Sequence, residues 1–200
     1  MLGQVLATPG VCASSTTSGS SSGGGGGGTV IANAPPFGGT KFVLTIEFIA
    51  APPTVAGGGF LFARSDGRTK QLVASLHLRG DHSGVDFVYR TADAARGGAG
   101  SSNGTAPSPP AAKVGWDVGS LGDNHFHTLK LEVDGATAVL TIDSTFDAGE
   151  RTLAGNVHDC DGGDTECTTH LLQRDGDGGA ADSYGVLDGC IFSAAILVSV

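Results

Sequence analysis

From residue 29 onward the apolar positions recur with a period of two rather than 3.6, and no window holds helical spacing. In 41–50, Phe42, Leu44, Ile46 and Phe48 share one face while Lys41, Thr45 and Glu47 share the other. Leu72, Ala74, Leu76 and Leu78 alternate with Val73, Ser75, His77 and Arg79; Val85, Phe87 and Tyr89 alternate with Asp86, Val88 and Arg90. Leu129, Leu131 and Val133 alternate with Lys130, Glu132 and Asp134. Ala138, Leu140 and Ile142 follow directly after Asp134-Gly135, a dipeptide that favours a tight hairpin. Residues 190–200 are nearly all apolar and predict a buried strand. Eight or more short strands separated by Gly and Asp turns predict an all-β fold, a two-sheet antiparallel jelly-roll β-sandwich.

Two stretches break this rhythm. Residues 14–28 are almost only Ser, Thr and Gly, the composition of a flexible tether. Residues 94–113 have almost nothing to bury and predict a disordered insertion. The expected organisation is therefore a flexible segment 1–28, then a sandwich domain 29–200 interrupted at 94–113. That insertion carries a glycosylation sequon at Asn103. Residues 1–13 hold no Lys or Arg, and Gly3, Gln4, Thr8, Pro9 and Gly10 break their apolar run, unlike a secretory signal. The chain reads as a fragment of a longer precursor, or as one not exported by that route.

Composition narrows the class. Glycine supplies 34 of 200 residues, against a usual share of about 7%, yet without the Gly-X-Y period of collagen. An apolar content of 40% excludes a wholly disordered chain. No apolar run approaches the roughly 18 residues of a membrane-inserting helix. A net charge of −9 argues against nucleic acid as a partner. Most of that charge lies in 155–190, where eight acids face only Arg174; such a field suits a cation or a basic partner.

Within it, Asp159-Cys160-Asp161-Gly162-Gly163-Asp164-Thr165-Glu166 has the spacing of a calcium loop, with Asp159, Asp161, Asp164 and Glu166 as candidate ligands. It lacks the twelve-residue spacing and flanking helices of an EF-hand. The four cysteines allow three pairings. They lack Cys-x-x-Cys and matching histidines, so a structural disulfide is expected rather than zinc, and with it an oxidising compartment. Cys12 lies beyond the Ser/Gly tether and is expected to stay outside the framework; the other three then leave one odd thiol, or one that pairs with Cys12 or with another chain. The expected bridge is Cys167–Cys190, with Cys160 as the alternative partner. Arg79-Gly80-Asp81 is an RGD tripeptide in an expected hairpin turn, where turn chemistry alone explains two of its three residues.

Several pieces in order resemble one family. Gly59-Phe60-Leu61-Phe62-Ala63 resembles the strand that opens a laminin G module, and 72–80 the strand after it. Residues 124–135 resemble the family's "W-H-x-v-x-v" strand, with Phe126 in the Trp position, and 139–143 its partner. Leu187-Asp188-Gly189-Cys190-Ile191, with 194–197, resembles the terminal Gly-Cys strand. From about 37 to 197 the chain thus resembles the laminin G-like, concanavalin-type jelly rolls. The resemblance implies a secreted or cell-surface module that binds a glycan or an extracellular protein, often with calcium at the rim. It places the rim ligands in loops 64–70 and 174–186, hence Asp66, Asp175, Asp177 and Asp182. It makes His127 a hydrogen-bonded structural residue.

The same sandwich hosts glycoside hydrolases, which need two carboxylates across a cleft. Glu132-Val133-Asp134 is the nearest match, and no second Glu follows. One Trp and two Tyr give little stacking surface, and no Gly-x-Ser-x-Gly elbow is present. A non-enzymatic binding module is expected, with a hydrolase of the same fold, or a ligand-free structural surface module, as the alternatives.

Overall fold

The alternation of Phe42, Leu44, Ile46 and Phe48 forms strand β4 (Lys41–Ala50), with these side chains at 1% exposure or less and the intervening ones partly exposed. The computed structural model describes residues 2–5, 11–13, 29–31, 41–53, 58–66, 72–91, 111–159, 167–172, 184–185 and 187–198. Among these there is no helix. In chain order the other strands are β1 (Leu2–Val5), β2 (Val11–Ala13), β3 (Thr29–Ile31), β5 (Gly58–Asp66), β6 (Leu72–Leu78) and β7 (Gly84–Tyr89). There follow β8 (Ala112–Asp117), β9 (Phe126–Asp134), β10 (Thr137–Ile142), β11 (Phe146–Thr152), β12 (Cys167–Leu171), β13 (Tyr184–Gly185) and β14 (Gly189–Val198).

They make two sheets. The first has the order β1-β14-β4-β9-β10-β11, with β2 also on β14; the second has β3-β12-β5-β6-β7-β8, with β13 on β5. Every pairing is antiparallel except β13 with β5. Register explains the core. Ile196, Leu44, Leu131 and Leu140 lie in one row across four strands, and Ala194, Ile46, Leu129 and Ile142 in the next. The facing sheet offers Phe62, Leu76, Phe87 and Trp116, and all of these belong to one buried cluster. Each large side chain so buried is worth about 1.5–3 kcal/mol. Trp116 also donates its indole N–H to the Gly149 carbonyl at 2.7 Å, closing β8 against β11.

The two-residue loop predicted after Asp134 is present, with Gly135 at φ 59°, the left-handed conformation that glycine adopts without a Cβ penalty. Gly189 has a different reason: a Cβ there would collide with the Ile49 carbonyl oxygen on β4.

Three expectations are corrected. Residues 2–5 and 11–13 of the expected flexible segment 1–28 are strands of the first sheet, added along β14; the tether, residues 14–28, lies outside the described residues. Ala112 and Lys113, assigned to the insertion, begin β8, because pairing with Tyr89 and Val88 satisfies their backbone; 94–110 and the sequon at Asn103 lie outside the described residues. The last strand is half-buried rather than buried: Ile191, Ala194, Ile196 and Val198 face the core, but Leu197 is 41% exposed on the outer face.

Two straps close the ends. At one end, here the Gly189 end, 118–125 crosses between the sheets, with Val118 N–H bonded to the Ser83 carbonyl, Leu121 N–H to His82 and Asn124 N–H to Ala50. At the other, the Val198 end, 153–159 crosses back, held by the Leu153 N–H on the Ala136 carbonyl, the Ala154 N–H on the Tyr89 hydroxyl and the His158 N–H on the Arg90 carbonyl.

Candidate functional site

Of the expected rim set, Asp66 ends β5 and pairs with Cys167 at the start of β12, so it stands at the Val198 end. Asp175, Asp177 and Asp182 lie outside the described residues.

The second acidic run fares differently. Asp159 accepts from Arg64 Nε at 2.8 Å and from Nη2 at 3.4 Å, so both carboxylate oxygens meet one guanidinium. Arg64 is 1% exposed and also donates to Thr169 Oγ1 at 3.3 Å. Burial lowers its pKa, while the charge and hydrogen bonds of Asp159 act the other way. A cation at Asp159 would have to displace this partner. Asp161, Asp164 and Glu166 lie outside the described residues. Among the described residues no three His, Cys, Asp or Glu side chains form a set that could hold a metal ion.

The disulfide expectation is overturned. Cys190 bridges Cys12, not Cys167. Register is the reason: β2 sets Cys12 directly across from Cys190 in the first sheet, whereas Cys167 opens β12 in the second. Cys167 is itself disulfide-bonded. Its alternative partner, Cys160, lies outside the described residues.

At the Gly189 end His127 projects inward at the head of β9, on the face of Leu129 and Leu131, with 8% of its surface exposed. Its Nδ1 is 2.9 Å from Asp143 and its Nε2 is 3.1 Å from Asp123. A carboxylate only accepts, so two such contacts require N–H on both nitrogens, which is the imidazolium. Desolvation pushes the pKa of His127 down, but the hydrogen bonds and charges of Asp143 and Asp123 outweigh it, and the pKa is raised. Asp143 also accepts from the Thr128 N–H at 2.7 Å. Asp123 caps the His125 N–H, the largest cause of a pKa lowered to about 2. The side chain is thus the hydrogen-bonded structural histidine expected, fastening the 118–125 strap to the sheet.

The outer face of the second sheet carries polar residues that sequence reading treated only as the solvent side of an alternation. On β6, Ser75 and His77 point away from the core, at 0% and 1% exposure. Cross-strand partners set His170, Ala63, Ser75 and Val88 in one row, and Phe60, His77, Asp86 and Gly115 in the next. Ala63 and Ser75, the smallest of these side chains, lie side by side at the centre, between two histidines. The Ser75 hydroxyl has no hydrogen-bond partner. His77 lies 3.9 Å from Asp86 and edge-on to Phe60, ring centroids 5.5 Å apart. Burial lowers its pKa to about 4, so it is neutral at pH 7. Asp86, itself buried, is bonded by Arg79 at 2.9 Å and Lys113 at 3.2 Å. The signal in the sequence was Ser75 and His77 at alternate positions opposite Asp86.

The remaining motifs are accounted for. Arg79 of the RGD tripeptide folds back to Asp86 and Asp117, and Asp81 caps the Ser83 N–H at 3.0 Å, so the two charges are not presented together. Glu132 and Asp134 stand on the outer face of the first sheet, paired with Lys130 at 3.1 Å and Lys41 at 2.6 Å.

Comparison with known proteins identifies the fold. No protein family's sequence profile matches the chain, and no curated protein does. Among solved structures it is similar to domains LG4-5 of the mouse laminin alpha1 chain, at 15% identity and a TM-score of 0.57, over 84% of this chain and 38% of that one. The LG1-3 region of the laminin alpha2 chain gives 10% identity and 0.57, over 84% and 30%. The CBM40 of a Ruminococcus gnavus IT-sialidase, bound to alpha2,6 sialyllactose, gives 11% identity and 0.55, over 100% and 93%. The chain spans about a third of each laminin structure and nearly all of the CBM40. The fold is the all-β, laminin G-like sandwich that the sequence motifs predict.

Proposed function

We propose that this domain is a non-catalytic, extracellular-type binding module for a glycan or protein ligand. The observation that carries the reading is the fold, which is similar over the whole chain to a CBM40 solved with a bound sialyllactose and so supports a glycan. Ser75, His77, His170 and Asp86, gathered on the outer face of the second sheet, are at 0–2% exposure and do not themselves present a surface to a ligand. The Cys12–Cys190 bridge supports an oxidising compartment.

Catalysis is not part of this reading, since Glu132 and Asp134 are each paired with a lysine on an open strand face. A calcium ion at the rim would be held by the expected set of Asp66, Asp175, Asp177 and Asp182. The test is a glycan array probed with the whole chain, folded and after thermal unfolding. Retention of a defined glycan by the folded chain alone is expected. No retention, or equal retention by the unfolded chain, would overturn the reading.

A further inference from the structure

A surface on the first sheet is not used by that reading. Phe126 opens β9 on the outer face of the first sheet and is 52% exposed. Its ring lies 5.6 Å from that of Phe192, tilted by 48°. Phe192 sits in the register shift between Ile191 and Ser193, which lets an aromatic side chain leave the core-facing series. Ile49 is directly opposite Phe126, and Cys190, bridged to Cys12, is directly opposite Ile49. The Gly189 end of this outer face therefore carries an aromatic, apolar patch. Single exposed apolar residues are ordinary, but a contiguous aromatic patch marks an interaction site.

The charge around it is one-sided. Glu47 lies in the adjoining row and takes a hydrogen bond from the Ser193 hydroxyl at 2.6 Å. Asp123 and Asp143 share the single charge of His127. The two lysines of this sheet, Lys41 and Lys130, are engaged with Asp134 and Glu132. The Phe126 end thus carries a surplus of negative charge within a chain of net charge −9.

We propose that this patch docks a basic protein segment that lays an aromatic or aliphatic side chain against Phe126 and Phe192 and sets Lys or Arg beside Glu47. The aromatic pair supplies the desolvated anchor and the acidic surround steers the approach. The same field repels an anionic glycan, so the occupant differs in kind from a glycan ligand, and the proposal stands whether or not that reading does.

The test uses the whole chain, 15N-labelled, with an alternating Lys–Phe hexapeptide as probe, an alternating Glu–Phe hexapeptide as its acidic counterpart, and a neutral disaccharide. The Lys–Phe peptide is expected to shift the amides of Ile49, Phe126 and Phe192, and those shifts to weaken several-fold as salt is raised past the point where the Debye length falls below about 10 Å. Phe126→Ser removes the anchor and is expected to abolish them. Glu47→Gln, which leaves the aromatic pair intact, is expected to reduce both the affinity and its salt dependence. Equal binding of the Glu–Phe peptide, shifts that survive Phe126→Ser, shifts confined to the second sheet, or stronger shifts of these amides by the disaccharide would each overturn the proposal.

Discussion

Replacing His127 by leucine tests the clamp at the Gly189 end. Leucine keeps an apolar body against Phe48, whose ring centroid is 5.9 Å from that of His127, but removes both carboxylate contacts. Hydrogen bonds to charged groups are worth about 1.5–3 kcal/mol each. The two do not add here, because Asp143 and Asp123 are 42% and 37% exposed and water takes up the lost bonds. The expected loss is about 2–3 kcal/mol near neutral pH, read by urea denaturation.

The pH dependence separates this account from mere loss of packing. The folded pKa of His127 is raised above its ordinary 6.5, so its contribution is complete below about pH 6.5 and fades as pH rises through the folded value. Asp123, lowered to about 2, contributes above its ordinary 3.8 and is lost as pH falls toward 2. The stability gap between the native chain and His127→Leu should therefore be greatest between these limits and close toward alkaline pH. A gap that stays constant from about pH 5.5 to about pH 9.5, or one below about 0.5 kcal/mol throughout, would refute the imidazolium clamp.

Three further outcomes follow from the same geometry. Asp159→Ala removes a two-point carboxylate partner from the buried Arg64 guanidinium and should lower stability in a denaturant melt, whereas Arg64→Met with Asp159→Ala should recover part of the loss. Cys12→Ser should destabilise by about 2–4 kcal/mol and raise hydrogen exchange at β14 amides on the side of β1 and β2, an effect absent if the N-terminal strands hold without the bridge. If millimolar calcium raises the melting temperature, Asp66→Ala and Asp177→Ala should each reduce the rise; a rise unchanged in both would remove the expected rim set.

The fold was legible because its determinants are local. A period of two in 41–50, 72–78, 85–89 and 129–142 fixes which side chains face inward, and Asp134-Gly135 fixes a two-residue turn and with it the register of β9 on β10. What escaped was pairing between distant, compositionally weak segments. Val11–Ala13 is too short to carry a period, and Ala112–Lys113 follows a Pro-rich run; both become strands only because β14 and β7 offer an unpaired edge. The Cys12–Cys190 bridge is a consequence of that edge, across a separation of 178 residues, and cysteine spacing alone does not encode it.

The candidate sites were less legible for a reason that the straps make plain. Sequence can count acids but not assign their partners, and here the partners decide the chemistry. Asp159 belongs to an acidic run, yet it is the counterion of buried Arg64 at the Val198 end; Asp123 belongs to no run at all, yet it completes the His127 clamp at the other. Each strap ends on one largely buried cation held by carboxylate, so a charge that looked available for a metal, that of Asp159, instead closes the sandwich. Ser75, His77 and Asp86 show the converse. In the sequence they are the polar half of an ordinary alternation, and only the register of β5, β6 and β7 brings them together on one face. Function in this chain is therefore to be sought where side chains are gathered by cross-strand register, on the sheet faces, rather than where acids are densest along the chain.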